Sequence, residues 1–145
     1  MTGALIRFFA LSRVEQARTV EAALCLFAVR TAFGMLPFPL ALRLFGIVRG
    51  EAGAGRIAAP VACDVSRAIA RAARHVPFRA VCLQQSFAAL LMLRRRGLAA
   101  TVHLGLARED GSQALKAHAW SHCGEVPVTG VPAAPDFAPV AVFAA

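Results

Sequence analysis

The sequence predicts an α+β fold, and three observations carry that prediction. Helical periodicity with recognisable start and stop signals runs from about Ser12 to Gly97. The period then changes to strict alternation over Thr101 to Ala107. A polar turn, Arg108-Glu109-Asp110-Gly111-Ser112-Gln113, follows, and a second alternating stretch runs from Lys116 to Cys123. Helices first and an antiparallel sheet afterwards is the α+β order. We divide the chain into an N-terminal helical region, residues 1–60, and a core, residues 61–145.

Ser12-Arg13-Val14-Glu15 has the form of a capping box, in which each side chain meets the other residue's amide, so a helix should begin near Arg13 and run towards Gly34. Its apolar face is expected at Val14, Ala17, Leu24, Ala28 and Ala32. A shorter helix, Leu40 to Val48, should pair with it. The glycine-rich stretch from Arg49 to Pro60 reads as a linker or mobile loop. Cys63 to His75 predicts an amphipathic helix, with Arg67, Arg71 and Arg74 on its solvated side.

Pro77 ends that helix, and a strongly apolar one follows from Cys82 to about Arg96. Three arginines in its last turn complement the helix dipole, and Gly97 supplies a left-handed cap. On the strands, His103 opposes Val102, Leu104 and Leu106, while Lys116, His118, Trp120 and His122 share a face. Short strands at Val126 to Thr129 and Val140 to Phe143 complete the sheet.

Composition narrows the function classes. At 145 residues the chain can bury a real core, and 58% of it is hydrophobic with a mean hydropathy of +0.60. So apolar a chain is expected to dock on partners or to touch a membrane peripherally. Arg30, Pro37, Pro39 and Arg43 interrupt its most apolar region, which leaves no uncharged run of the ~18–20 residues that a spanning helix needs. The net charge is +8, and Lys116 is the single lysine. The arginines are scattered, without interleaved aromatic residues for base stacking, which argues against nucleic acid and fits an acidic peptide or protein equally well. Cys25, Cys63, Cys82 and Cys123 lie far apart and the N-terminus lacks a clean signal-peptide pattern, so a cytoplasmic protein with reduced thiols is expected.

Chemistry concentrates at Cys82 and His118. A cysteine opening a helix sits where the dipole and the free amides stabilise a thiolate, and the same amides can receive an oxyanion. A histidine on a following strand is the base such a nucleophile needs. A buried structural thiol and a packing histidine are the plainer alternatives for each residue alone. Trp120 either walls the site or fills the core, and Gln85 either donates to a substrate oxyanion or faces solvent. His118, His122 and Cys123 mimic metal-ligand spacing, but on a strand Cys123 points away from both histidines, so no metal and no other cofactor is expected.

The run Cys82-Leu83-Gln84-Gln85-Ser86, the later Arg95-Arg96-Gly97 and then Ala117-His118-Ala119-Trp120 resemble the transglutaminase-like cysteine peptidases of lasso peptide biosynthesis. Leu11-Ser12-Arg13 with Gln16-Ala17, and Leu36-Pro37-Phe38, are similar to the helical N-terminal part of those proteins. The resemblance implies a transglutaminase/papain-like core and a protease that removes the leader from a ribosomally made precursor peptide. It implies Cys82 as nucleophile and His118 as base. It also implies three partners: the precursor peptide, a separate leader-recognition protein, and an asparagine-synthetase-like lasso cyclase. The family's third residue is an acid about a dozen positions after the histidine, a place held here by Thr129 or Gly130. Thr129 and Asp136 rank first as substitutes, ahead of Glu125 and a backbone carbonyl. Acyl transfer of the transglutaminase type, or a non-catalytic adaptor that presents the precursor to the cyclase, are the alternative functions.

Overall fold

The computed structural model describes residues 2–145. Helices α1 (Thr2–Phe9), α2 (Arg13–Met35) and α3 (Phe38–Leu44) precede a two-residue strand, β1 (Val48–Arg49). Helices α4 (Ala59–Ala73) and α5 (Cys82–Arg95) follow, and then strands β2 (Thr101–Arg108), β3 (Leu115–Cys123) and β4 (Val126–Thr129). A 3₁₀ turn over Val131–Asp136 leads into β5 (Ala138–Ala144). The sheet order is β1-β5-β2-β3-β4 and every pairing is antiparallel. The fold is α+β, as the change of period predicts.

Local chemistry explains the boundaries. Ser12 Oγ accepts from the Glu15 amide at 3.3 Å and Glu15 Oε2 accepts from the Ser12 amide at 3.1 Å, which closes the capping box that starts α2. Pro60 lies in the first turn of α4, where a missing N–H costs nothing, so α4 starts at Ala59, earlier than the sequence indicates. Gly97, at φ 68°, reverses the chain after α5. The helix expected at Leu40 to Val48 lies instead at Phe38–Leu44, because Pro37 and Pro39 suit a helix start and Gly46 ends it with a left-handed turn. Strand β1 ends at Arg49, where the glycine-rich stretch begins, and within that stretch Arg56 bridges to Leu98. Helix α1 has no counterpart among the elements predicted from sequence.

The face of α2 expected in the core is, apart from Ala32, not the one buried there. The face of α2 that meets the core is Thr19, Ala22, Leu26, Val29 and Ala32, whereas Val14 and Leu24 are 57% and 65% exposed. The helix is apolar around most of its circumference, so periodicity alone does not choose the buried side.

Helix α5 runs through the centre, buried from Ser86 to Leu93, with α2 and α4 against it and the sheet on its other side. Leu26 and Val29 of α2 share one core with Ile69 of α4, Phe87 and Leu90 of α5, and Val102 and Phe143 of the sheet. Phe33, Phe38, Phe87 and Phe143 meet there at centroid separations of 5.1 to 6.1 Å. Residues 1–60 thus contribute directly to the core that carries α5. Among the described residues, no helix is long and apolar enough to cross a membrane.

Candidate functional site

Cys82 is the first residue of α5 and is half-buried. Val81 precedes it and has no side-chain acceptor, so nothing caps the first amides of the helix from that position. The hydrogen bond made there runs the other way: Gln84 Oε1 accepts from the Val81 amide at 3.1 Å. The start of α5 therefore keeps the donors that a thiolate or an oxyanion uses. Gln85 Nε2 donates to the Ala80 carbonyl at 2.7 Å, fastening the chain just before the helix. That bond gives Gln85 a tethering role at the start of α5.

His118 lies on β3. Cross-strand partners share a face, and the register pairs His103 with Trp120 and Gly105 with His118. His103, His118 and Trp120 therefore stand together on one face, while Val102, Ser121 and Phe143 turn to the face covered by Phe87 of α5. Trp120 stacks between the two imidazoles, at centroid distances of 5.6 Å from His103 and 6.0 Å from His118. A Cβ at Gly105 would sit 2.8 Å from the Trp120 ring, so only glycine leaves room for the indole opposite. Phe137 lies 5.0 Å from the His118 ring. Trp120 thus packs and braces the imidazole.

The orienting contact comes from the backbone. His118 Nε2 lies 2.7 Å from the carbonyl oxygen of Gly130. A carbonyl only accepts, so Nε2 carries the proton, and in the neutral ring Nδ1 is left as the base. This is one of the four alternatives that the sequence leaves open, and it sits twelve positions after the histidine. The two higher-ranked ones lie elsewhere. Thr129 Oγ1 is 2.9 Å from Ser86 Oγ and 2.7 Å from Ser121 Oγ, and it joins α5 to β3 and β4 on the core side of the sheet. Asp136 and Glu125 are exposed. Cys82 and His118 share no hydrogen bond among the described residues.

The Ser86–Thr129–Ser121 cluster and the role of Gly130 escape the sequence reading. Ser86 stands one helical turn after Cys82, and Ser121 falls on the Ala119/Cys123 side of the alternation, which are the two signals that locate the cluster. Gly130 gives only the weak signal of a glycine after a strand.

The remaining titratable groups sort by burial. Burial pushes the Cys25 thiol up, with Glu21 adding to the shift, and Cys123 is fully buried. Burial, and secondarily His103, pushes the His122 imidazole down. The His103 and His122 rings meet edge to face at 5.6 Å, while Cys123 turns to the core. Among the described residues, no three His, Cys, Asp or Glu side chains group as metal ligands.

Comparison with known proteins gives one match. The family model described as the transglutaminase-like superfamily matches residues 23–142, from the middle of α2 to β5. No curated protein and no solved structure matches the chain. The match spans α5 and β3 with Cys82 and His118, and it covers most of the 145 residues. The chain therefore belongs to the transglutaminase-like superfamily, whose members are typically cysteine-dependent enzymes of the protease or acyltransferase type.

Proposed function

We propose that the protein is a cysteine peptidase that removes the leader from a ribosomally made lasso precursor peptide in the cytoplasm. The observation that carries the reading is Cys82 at the uncapped start of α5, inside a superfamily domain built on cysteine chemistry. The Gly130 carbonyl supports it, because it holds His118 in the tautomer that leaves Nδ1 as the base. The lasso substrate rests on the resemblance of the Cys82 segment and Ala117-His118-Ala119-Trp120.

In the first half-reaction His118 takes the thiol proton and Cys82 Sγ attacks the carbonyl carbon at the leader–core junction. The oxyanion is received by amides at the start of α5. The C–N bond breaks as the imidazolium gives its proton to the leaving amine, and a thioester remains. His118 then deprotonates a water whose oxygen attacks the thioester carbon, the C–S bond breaks as the imidazolium returns its proton to Cys82 Sγ, and the carboxylate product and the thiol are released. The proton transfer requires Cys82 and His118 to meet, which they do not do in this structure, where His118 stands on the face of β3 turned away from Phe87 of α5. A leader-recognition protein presents the precursor, and an asparagine-synthetase-like cyclase takes the freed core peptide.

The test is cleavage of the precursor, with the recognition protein supplied, followed by mass spectrometry. Wild type should yield two fragments whose summed mass exceeds the precursor by one water, and Cys82→Ala should yield none. Full cleavage by Cys82→Ala would sink the reading. A product carrying a new amide in place of the carboxylate would assign acyl transfer instead.

A further inference from the structure

Helix α2 buries one face at Ala22, Leu26 and Val29, each 0% exposed, and presents a second apolar face to solvent. On that second face Val20, Leu24 and Phe27 are 49%, 65% and 43% exposed. Their spacing of four and then three residues is that of a helix-packing seam. Helix α1 lies alongside without a single buried residue, and its Leu5 is 54% exposed. Between α1, α2 and the end of α4 runs a groove of about 420 Å³, lined by Leu5, Phe8, Val20, Phe27 and Val76. At the level of Phe8, Thr19 and His75 it opens into a second hollow of about 470 Å³ that also takes in Arg7, Arg71 and Arg74.

The charge in this second hollow is one-sided. Arg71 is engaged, with Thr19 Oγ1 at 2.9 Å and Glu15 Oε1 at 3.8 Å. Among the described residues Arg7 and Arg74 have no acidic partner within 4 Å, and neither hollow is lined by Asp or Glu. An apolar trough that ends in unpaired guanidinium groups matches a ligand with apolar side chains beside a carboxylate.

We infer that the groove between α1, α2 and the end of α4 binds an acidic, amphipathic peptide segment of a partner protein, separately from Cys82 and His118. The apolar side chains of that segment fill the trough, and its carboxylates reach Arg7 and Arg74. Concavity favours a peptide over a bilayer, because a lipid surface covers a convex face and leaves a trough unfilled. The basic rim opposes a second copy of the chain, which would bring the same charges to the same place. The inference stands independently of the peptidase reading, since none of the lining residues belongs to the proposed catalytic pair.

The test pans a library of random dodecapeptides displayed on phage against the full chain, then measures selected peptides by fluorescence anisotropy. Enriched peptides should carry Asp or Glu beside apolar residues at intervals of three and four. Their affinity should fall at least tenfold in Arg7→Glu/Arg74→Glu, and as much in Val20→Asp or Leu5→Asp, each with a thermal transition close to wild type. Absence of enrichment, enrichment without acidic residues, or equal binding by the variants would overturn the inference. So would co-sedimentation with phosphatidylglycerol vesicles that Val20→Asp abolishes, which would assign the face to a membrane. A dimer that Val20→Asp dissociates would overturn it too, by assigning the face to self-association.

Discussion

His118 Nε2 meets the carbonyl oxygen of Gly130 at 2.7 Å, and the side chain nearest in sequence, Thr129, turns the other way to Ser86 and Ser121. A neutral acceptor thus occupies the place where the resemblance to the lasso leader peptidases implies an acid. It fixes the tautomer as a carboxylate does, but it offers the imidazolium a dipole in place of a full charge.

Gly130 should tolerate no side chain. Its φ is +68°, and a Cβ there would sit 2.5 Å from the Ala119 carbonyl oxygen and 3.1 Å from His118 Nε2. Gly130→Ala is expected to cost about 1–2 kcal/mol from the left-handed backbone alone, and to lower precursor cleavage per folded molecule by disturbing His118. Thermal denaturation and kcat at matched folded fraction measure the two effects.

Thr129→Val separates a structural hydroxyl from a catalytic one. The substitution strips a shared partner from Ser86 and Ser121, both 0% exposed, and should destabilise the fold by about 1–3 kcal/mol in a urea titration. Its kcat should stay within about threefold of wild type, far short of the roughly 10²-fold or greater loss expected when a general base is removed. A collapse of kcat with unchanged stability would reinstate Thr129 as the residue that orients His118.

His118→Gln should lower kcat by about 10²–10⁴-fold while leaving the thermal transition near wild type, since the half-buried side chain stands outside the central core.

Alkylation should discriminate the four thiols. Iodoacetamide at pH 8 is expected to modify the exposed Cys63 and the half-buried Cys82. Cys25 should resist even at pH 8, as burial pushes its thiol up, and so should the fully buried Cys123. Peptide mapping after timed quenching reads the order, and uniform labelling would count against this sorting by burial.

Glu21 ties α2 to the end of α5. Arg96 Nη2 donates to Glu21 Oε2 at 2.7 Å, and this hydrogen bond holds the carboxyl below its usual value of 4.5. A carboxyl lowered in the folded state adds stability above its unfolded value and loses it as pH falls through the folded one. Stability should therefore decline below about pH 4.5. Glu21→Gln should cost about 1 kcal/mol at pH 7, allowing for solvent screening, with a gap to wild type that narrows as pH falls towards 3. Paired thermal melts across that range measure it.

The sequence by itself determined the elements whose signals are local. The Ser12–Glu15 box, the arginine-rich end of α5 before Gly97, and the alternation in β2 and β3 each act within one or two turns of chain. They determined the α+β order, the place of Cys82 at a helix start, and the shared face of His118 and Trp120. Tertiary structure decided what lies between elements. It chose the core face of α2, since a helix apolar nearly all round has no preferred side until α4 and α5 pack against it. It drew Thr129 to Ser86 and Ser121, because two buried hydroxyls outweigh a position in sequence. It gave His118 its acceptor from the backbone, and a carbonyl, which every residue carries, leaves no mark in a sequence.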